Sequence, residues 1–192
     1  MPELQPVPAA TVVLLREALS GGTLEVLLLK RNSRLVFHGG HWVFPGGRID
    51  EQDFETASNG ELIEAARQAA VRETREEAGL KITTDSLLHT AHWTTPPSLP
   101  RRFSTWFFLC PLREQSAVTI DEAEIMDFCW ISPEQALEAH DKEQMTLPMP
   151  TRTTLGDLVG FASVDHALEQ ARQREIRVFP PNSEFYDPQG DS

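Results

Sequence analysis

Glu73, Glu76 and Glu77 stand at positions i, i+3 and i+4 of a stretch rich in helix-forming residues. A helix there projects all three carboxylates from one face. Carboxylates this close repel, each pair by roughly 0.2–0.5 kcal/mol. Arg72 and Arg75, interleaved with them, offset part of that cost as local ion pairs on a solvated face. A hard divalent cation such as Mg²⁺ offsets more, because it takes oxygen ligands and commonly combines carboxylates with the phosphates of a substrate. The spacing alone leaves both readings open.

The elements that must position this face can be read around it. Ser58 with Glu61 makes a capping-box pattern, residues 59–78 are dense in Ala, Glu, Arg and Gln, and Gly79 stands at a C-terminal cap position. Together these predict a helix over 59–78. Upstream, apolar runs at 11–15 and 24–29 flank Ser20-Gly21-Gly22 and predict a β-hairpin. A glycine-rich loop at Gly39-Gly40 leads to Trp42-Val43-Phe44 and the break Pro45-Gly46-Gly47, after which residues 48–59 are acidic and read as an exposed loop. Downstream, 87–93, 103–109 and 126–131 are strand candidates. Ser132-Pro133-Glu134-Gln135 opens a helix to about Ala139, and 163–174 reads as another. Strands with intervening helices predict a mixed sheet packed between helices. The 192 residues make one domain, with a core over about 8–178 and an irregular arm over 179–192.

The run Arg72-Glu73-Thr74-Arg75-Glu76-Glu77-Ala78-Gly79-Leu80 resembles the second half of the Nudix box. That pattern is Gly, five residues, Glu, seven residues, Arg-Glu-U-x-Glu-Glu-x-Gly-U, with U a bulky aliphatic residue. Glu64 lies seven residues before Arg72, and Phe44-Pro45-Gly46-Gly47 resembles the approach to the box. Thr74 replaces the first aliphatic residue. Sixteen residues separate Gly47 from Glu64 where the pattern has five, an insertion of eleven assigned to the acidic loop. That insertion puts the reach of Gly47 in question.

The resemblance implies an α/β/α sandwich with a mixed β-sheet. It implies hydrolysis of a nucleoside diphosphate linked to another moiety, with Mg²⁺ or Mn²⁺ as cofactor. Carried onto this chain, Glu73, Glu76 and Glu77 ligate the cations, Arg72 orients the carboxylates, and the Gly47 carbonyl completes the coordination. The base that takes a proton from water is Glu76 or Glu77, with Glu122 or Glu124 as second choices. Homodimers are frequent in the family, and no feature of this sequence specifies one.

Leu27-Leu28-Leu29-Lys30-Arg31, Gly40 and the Phe44–Gly47 segment resemble, in spacing, a motif of coenzyme A diphosphatases. Leu29, Asn32 and Val36 depart from it, and Arg34 lies two residues before its expected arginine. With the enlarged box, Trp93-Thr94-Thr95-Pro96 and Pro100-Arg101-Arg102-Phe103 look like the subgroup that contains a peroxisomal member. Arg31, Arg101 and Arg102 are therefore candidate phosphate contacts, and Trp93 and Phe103 candidate stacking surfaces. The competing reading makes Trp93, Phe103 and Trp106 core, the arginine pair surface, and Arg31 a strand terminus. CoA or acyl-CoA is the expected substrate; ADP-ribose, nucleotide sugars, dinucleoside polyphosphates and modified nucleotides are alternatives. A nucleotide-sensing module without catalysis is the alternative of another class, and the intact glutamates weigh against it.

Composition removes other classes. Twenty-nine acidic against seventeen basic residues give a net charge of −12, with no basic stripe for nucleic acid. No run approaches the ~20 apolar residues of a membrane span, and the first ten residues lack a charged start and apolar core. Cys110 and Cys129 lie in apolar runs and read as buried thiols, which points to the cytoplasm. His38-x-x-His41 and His89-x-x-His92 have neither the facing nor the spacing of a structural zinc site. No His follows a Glu at i+3, which sets aside a di-iron carboxylate bundle.

Overall fold

Near-continuous apolar runs make β1 (Val7–Glu17) and β2 (Leu24–Arg31) strands buried on both faces, and so they form the middle of a layered fold. The computed structural model describes residues 5–19, 21–34, 39–57, 60–114 and 116–186. Ser20, Val36, His38, Ser58 and Asn59 lie outside these, and with them the expected capping box and the first His pair.

β1 and β2 form the expected hairpin, Leu15 opposite Val26. Below the hairpin β1 pairs instead with β4 (Gly46–Arg48), while β2 pairs with β3 (Trp42–Val43) and β7 (Ile125–Ile131). On its other side β1 runs parallel to β6 (Phe103–Pro111), which pairs antiparallel with β5 (Leu88–Thr94). A short strand, β8 (Arg177–Phe179), runs parallel to β5 at the edge. The eight-stranded sheet of the described residues is therefore mixed, as expected.

Alternation along β1 divides the core. Val12 and Leu14 face α2 (Leu62–Ala78), where Ala65, Ala66, Ala69 and Ala70 are fully buried and bring helix backbone close to the sheet. Val13 and Leu15 face the opposite layer, built by α3 (Pro133–Asp141), α4 (Met149–Leu158) and α5 (Val164–Gln173). The α/β/α sandwich is thus present.

The box helix begins at Leu62 rather than residue 59, with Glu61 as its N-cap, and ends on Gly79 in the left-handed conformation (φ 68°). Within the described part of the expected exposed loop, residues 48–57, Glu51–Thr56 is a short helix, α1, and its Asp53 is buried. The expected arm over 179–192 is described as far as Tyr186, and that part carries local structure. Phe179 is buried in β8, and a 3-10 turn over Glu184–Tyr186 packs Phe185 and Tyr186 against the core. Cys110 is buried and Cys129 partly so, and both are free thiols. Among the described residues no helix is long and apolar enough to cross a membrane.

Candidate active site

The last two turns of α2 carry Glu73, Glu76 and Glu77 to the sheet edge formed by β4 and the end of β2. Glu77 is only 5 % exposed. Its Oε2 accepts the Gly46 backbone N–H at 2.9 Å, and its Oε1 lies 3.9 Å from the Arg31 guanidinium. Burial pushes its carboxyl up to about 8; Glu73 and Glu124 push the same way, and the Gly46 N–H and Arg31 oppose. Burial also raises Glu73, against the pull of Arg72. Glu76 is the solvent-facing member, its side chain 56 % exposed.

Glu124 sits in an exposed turn before β7, close enough that its charge raises both Glu73 and Glu77. Asn32 ties that turn to the end of β2: its N–H donates to the Glu124 carbonyl at 2.7 Å and its side-chain amide to the Ala123 carbonyl at 3.1 Å. Glu122 is exposed in the same turn.

The insertion does not withdraw Gly47. Its backbone lies directly against the Glu73 carboxylate, which a β-carbon there would overlap. A β-carbon on Gly46 would overlap the Ala10 carbonyl. Gly46 must therefore be glycine for β4 to pass β1, whereas a β-carbon at Gly47 would displace the Glu73 carboxylate.

Arg72 does bind the carboxylates, donating from one terminal nitrogen to Glu73 at 2.8 Å and to Glu76 at 3.1 Å. Its other side is held by a residue that sequence reasoning missed. Asp53, 2 % exposed, takes the Arg72 Nε–H at 3.1 Å and a terminal N–H at 2.9 Å. Glu64, the expected acid of the box, instead pairs with Arg67 at 3.5 Å. The signal was present: counted forward from Gly47, the acid after five residues is Asp53. The extra residues therefore follow Asp53.

Of the proposed substrate contacts, the structure brings Arg31 to the carboxylates and leaves the others elsewhere. Trp93 is core: it is 2 % exposed and stacked on Phe179 at 3.6 Å, with Phe185 and Tyr186 at its edges. Arg102 is buried and donates through Nε to the Thr95 carbonyl at 3.2 Å, and the Phe103 N–H binds the Thr95 hydroxyl, so both shape the β5–β6 turn. Phe103 pairs in register with Val7 whereas Gly47 pairs with Ala10. That offset of three residues is roughly 10 Å along the strand. Arg101 is exposed on the same turn, and Trp106 is half-buried with its ring edge against His92. The rings of His89 and His92 are taken up by the Ala91 carbonyl and the Ser104 hydroxyl, at 3.1 and 2.8 Å.

Among the described residues, no three His, Cys, Asp or Glu side chains are grouped so as to hold a metal ion by themselves. The donors on α2 nevertheless fit a hard cation. They are all oxygen, one is desolvated, and such ions complete their shell with water and substrate phosphate. Among the described residues, Arg31 Nε is buried without a hydrogen-bond partner.

The fold and site define a class: a mixed sheet between helix layers, with an oxygen-donor site where one helix end meets a diglycine strand. The chain belongs to the NUDIX domain family, whose model matches residues 5–149. Members generally use divalent metal ions. An acyl-coenzyme A diphosphatase of Xenopus laevis is 25% identical over 232 aligned residues, covering 73% of this chain and 61% of the relative. Its human counterpart is 40% identical over 74 residues, covering 38% and 20%. The chain thus spans less than two thirds of either relative. The crystal structure of a NUDIX hydrolase from Alicyclobacillus acidocaldarius superposes with a TM-score of 0.78 at 23% identity, covering 86% of this chain and 96% of that one.

Proposed function

We propose that this protein is a metal-dependent pyrophosphohydrolase whose substrate is CoA or acyl-CoA. The observation that carries the hydrolase reading is the Glu77 carboxylate. It is desolvated, held by the Gly46 N–H, and placed beside Arg31 with Glu73 on the same helix face. Ionising that buried carboxyl calls for a counter-charge that a single guanidinium at 3.9 Å does not fully supply.

Glu73, Glu76, Glu77 and the Gly47 carbonyl would hold Mg²⁺ or Mn²⁺. When bound, such cations neutralise phosphate charge and acidify a coordinated water. Arg31, whose guanidinium lies beside Glu77, then contacts a phosphate oxygen. Arg72 keeps Glu73 and Glu76 in place. A glutamate, Glu76 or Glu77 on the helix or Glu124 across from it, accepts the proton of the attacking water. The water oxygen bonds to one phosphorus, the bridging P–O bond breaks, and the leaving phosphate keeps the electron pair. From CoA the products are 3′,5′-ADP and 4′-phosphopantetheine.

Two observations support CoA as substrate. Arg31 and Gly40 of the partial CoA motif close one loop, with Gly40 N–H on the Arg31 carbonyl and Arg31 N–H on the His41 carbonyl, both at 3.0 Å. The similarity to two acyl-coenzyme A diphosphatases is the second. Chromatography of a panel of diphosphates incubated with protein and Mg²⁺ tests the reading. Turnover of ADP-ribose with CoA untouched would sink the substrate assignment. Nucleotide binding without any cleavage would make the chain a sensing module.

A further inference from the structure

The ladder between β2 and β7 is interrupted where it reaches the site. Lys30 lies opposite Asp127 but Arg31 lies opposite Ile125, which leaves Met126 as an extra residue, a bulge on β7. A bulge re-aims the side chains beside it. Here it sets Ile125 into the core layer shared with α2 and brings Glu124 beside Asn32. Asn32 then holds the turn by two bonds, its N–H to the Glu124 carbonyl at 2.7 Å and its Nδ2 to the Ala123 carbonyl at 3.1 Å. Its amide is kept from rotating, because Oδ1 accepts the Arg34 N–H at 3.1 Å and so leaves the nitrogen for the carbonyl. Within the turn, the Asp121 carboxylate accepts the Ala123 N–H and the Asp121 carbonyl the Ile125 N–H, both at 2.8 Å. Upstream, the Thr119 N–H pins the same segment to the Ala78 carbonyl at the end of α2, at 2.9 Å. Glu122 and Glu124 are both exposed in the turn, yet Glu124 is the one whose charge raises Glu73 and Glu77. Glu73 and Glu76 are engaged by Arg72, and Glu77 by the Gly46 N–H. Glu124 faces them from a separate element, and Asn32 is what fastens that element to β2.

We propose that Asn32 is a positioning residue, holding the 121–125 turn so that Glu124 stands across from Glu73 and Glu77 and takes the proton of the attacking water. This rests on the proposed hydrolase reading and narrows its three candidate acceptors to Glu124. Steady-state kinetics with CoA and Mg²⁺, or with ADP-ribose where CoA is untouched, compare wild type, Asn32→Ala, Glu124→Gln and the double variant. Each is checked for folding by circular dichroism. Misplacing a reacting group by about 1 Å costs up to ~10²-fold in rate, so Asn32→Ala is expected to lower kcat by roughly 10–100-fold. A contact that matters only in the transition state leaves KM within about twofold. In the Glu124→Gln background the same substitution is expected to add less than about twofold, because residues acting through one another are non-additive. Equal losses in both backgrounds, a loss confined to KM, or wild-type kcat in folded Asn32→Ala or Glu124→Gln would overturn the proposal. A second measurement needs no variant to fold. Backbone order parameters over 121–125 of the wild type, from amide relaxation in nuclear magnetic resonance, are expected to match those of β2, about 0.85. Values clearly below those of β2 would also overturn it. Wild-type protein that cleaves no diphosphate would overturn both this and the hydrolase reading. Cleavage by wild type together with any of the contrary outcomes above would remove this proposal alone.

Discussion

The Gly46 amide donates to the Glu77 carboxylate at 2.9 Å, joining residues 31 apart in sequence. This bond docks the end of α2 on β4 and fixes one donor of the site before any ligand arrives. On the proposed reading, substrate and cation meet a carboxyl group already placed.

Gly47→Ala tests the diglycine strand. The added methyl would overlap the Glu73 carboxylate, and displacing a reacting-centre group by about 1 Å costs on the order of 10²-fold in rate. The expected outcome is that loss in kcat with the melting temperature little changed, since the clash is with a side chain that can move. Wild-type kcat would show that Glu73 need not sit where the structure puts it.

Trp93 separates core from substrate contact. Stacked on Phe179 and edged by Phe185 and Tyr186, it should cost ~3–5 kcal/mol of stability as Trp93→Ala. Trp93→Phe should keep most of the fold with KM for CoA unchanged. Denaturant unfolding and steady-state kinetics check both; a raised KM at full stability would return Trp93 to the substrate.

Acid should weaken the sheet through two histidines. Burial lowers the pKa of His89 and of His92, with Arg67 adding to the first and His89 to the second. The unfolded chain then takes up protons near pH ~6.5 that the folded chain refuses. This contribution is full above that pH and is lost as pH falls through the lowered folded values. Melting temperatures between pH 8 and 5 should decline, and the His89→Gln, His92→Gln double variant should flatten that slope. An unchanged slope would remove these residues from the account.

The β1–β2 hairpin, the box helix and its Gly79 cap were legible because local patterns dictate them: apolar runs, helix formers and a left-handed terminus. The elements missed are those that only tertiary contacts stabilise. α1 is six residues, all polar but Phe54, anchored by Asp53 on Arg72. α4 carries Pro150 and three threonines, which mask its helical pattern. β8 has three residues and depends on pairing with β5. In the site, the carboxylate face followed from spacing, whereas Asp53 was passed over because the acid was counted back from Arg72 alone. Trp93 looked available because Phe179, its stacking partner, is remote in sequence.

The central claim is a pyrophosphate bond cleaved at the α2 carboxylates. The most direct measurement incubates CoA and Mg²⁺ with wild type and with Glu77→Gln and quantifies 3′,5′-ADP and 4′-phosphopantetheine. Equimolar release of both by wild type, reduced on the order of 10²–10³-fold in the variant, is the predicted result. Equal release by a folded Glu77→Gln protein would contradict the account.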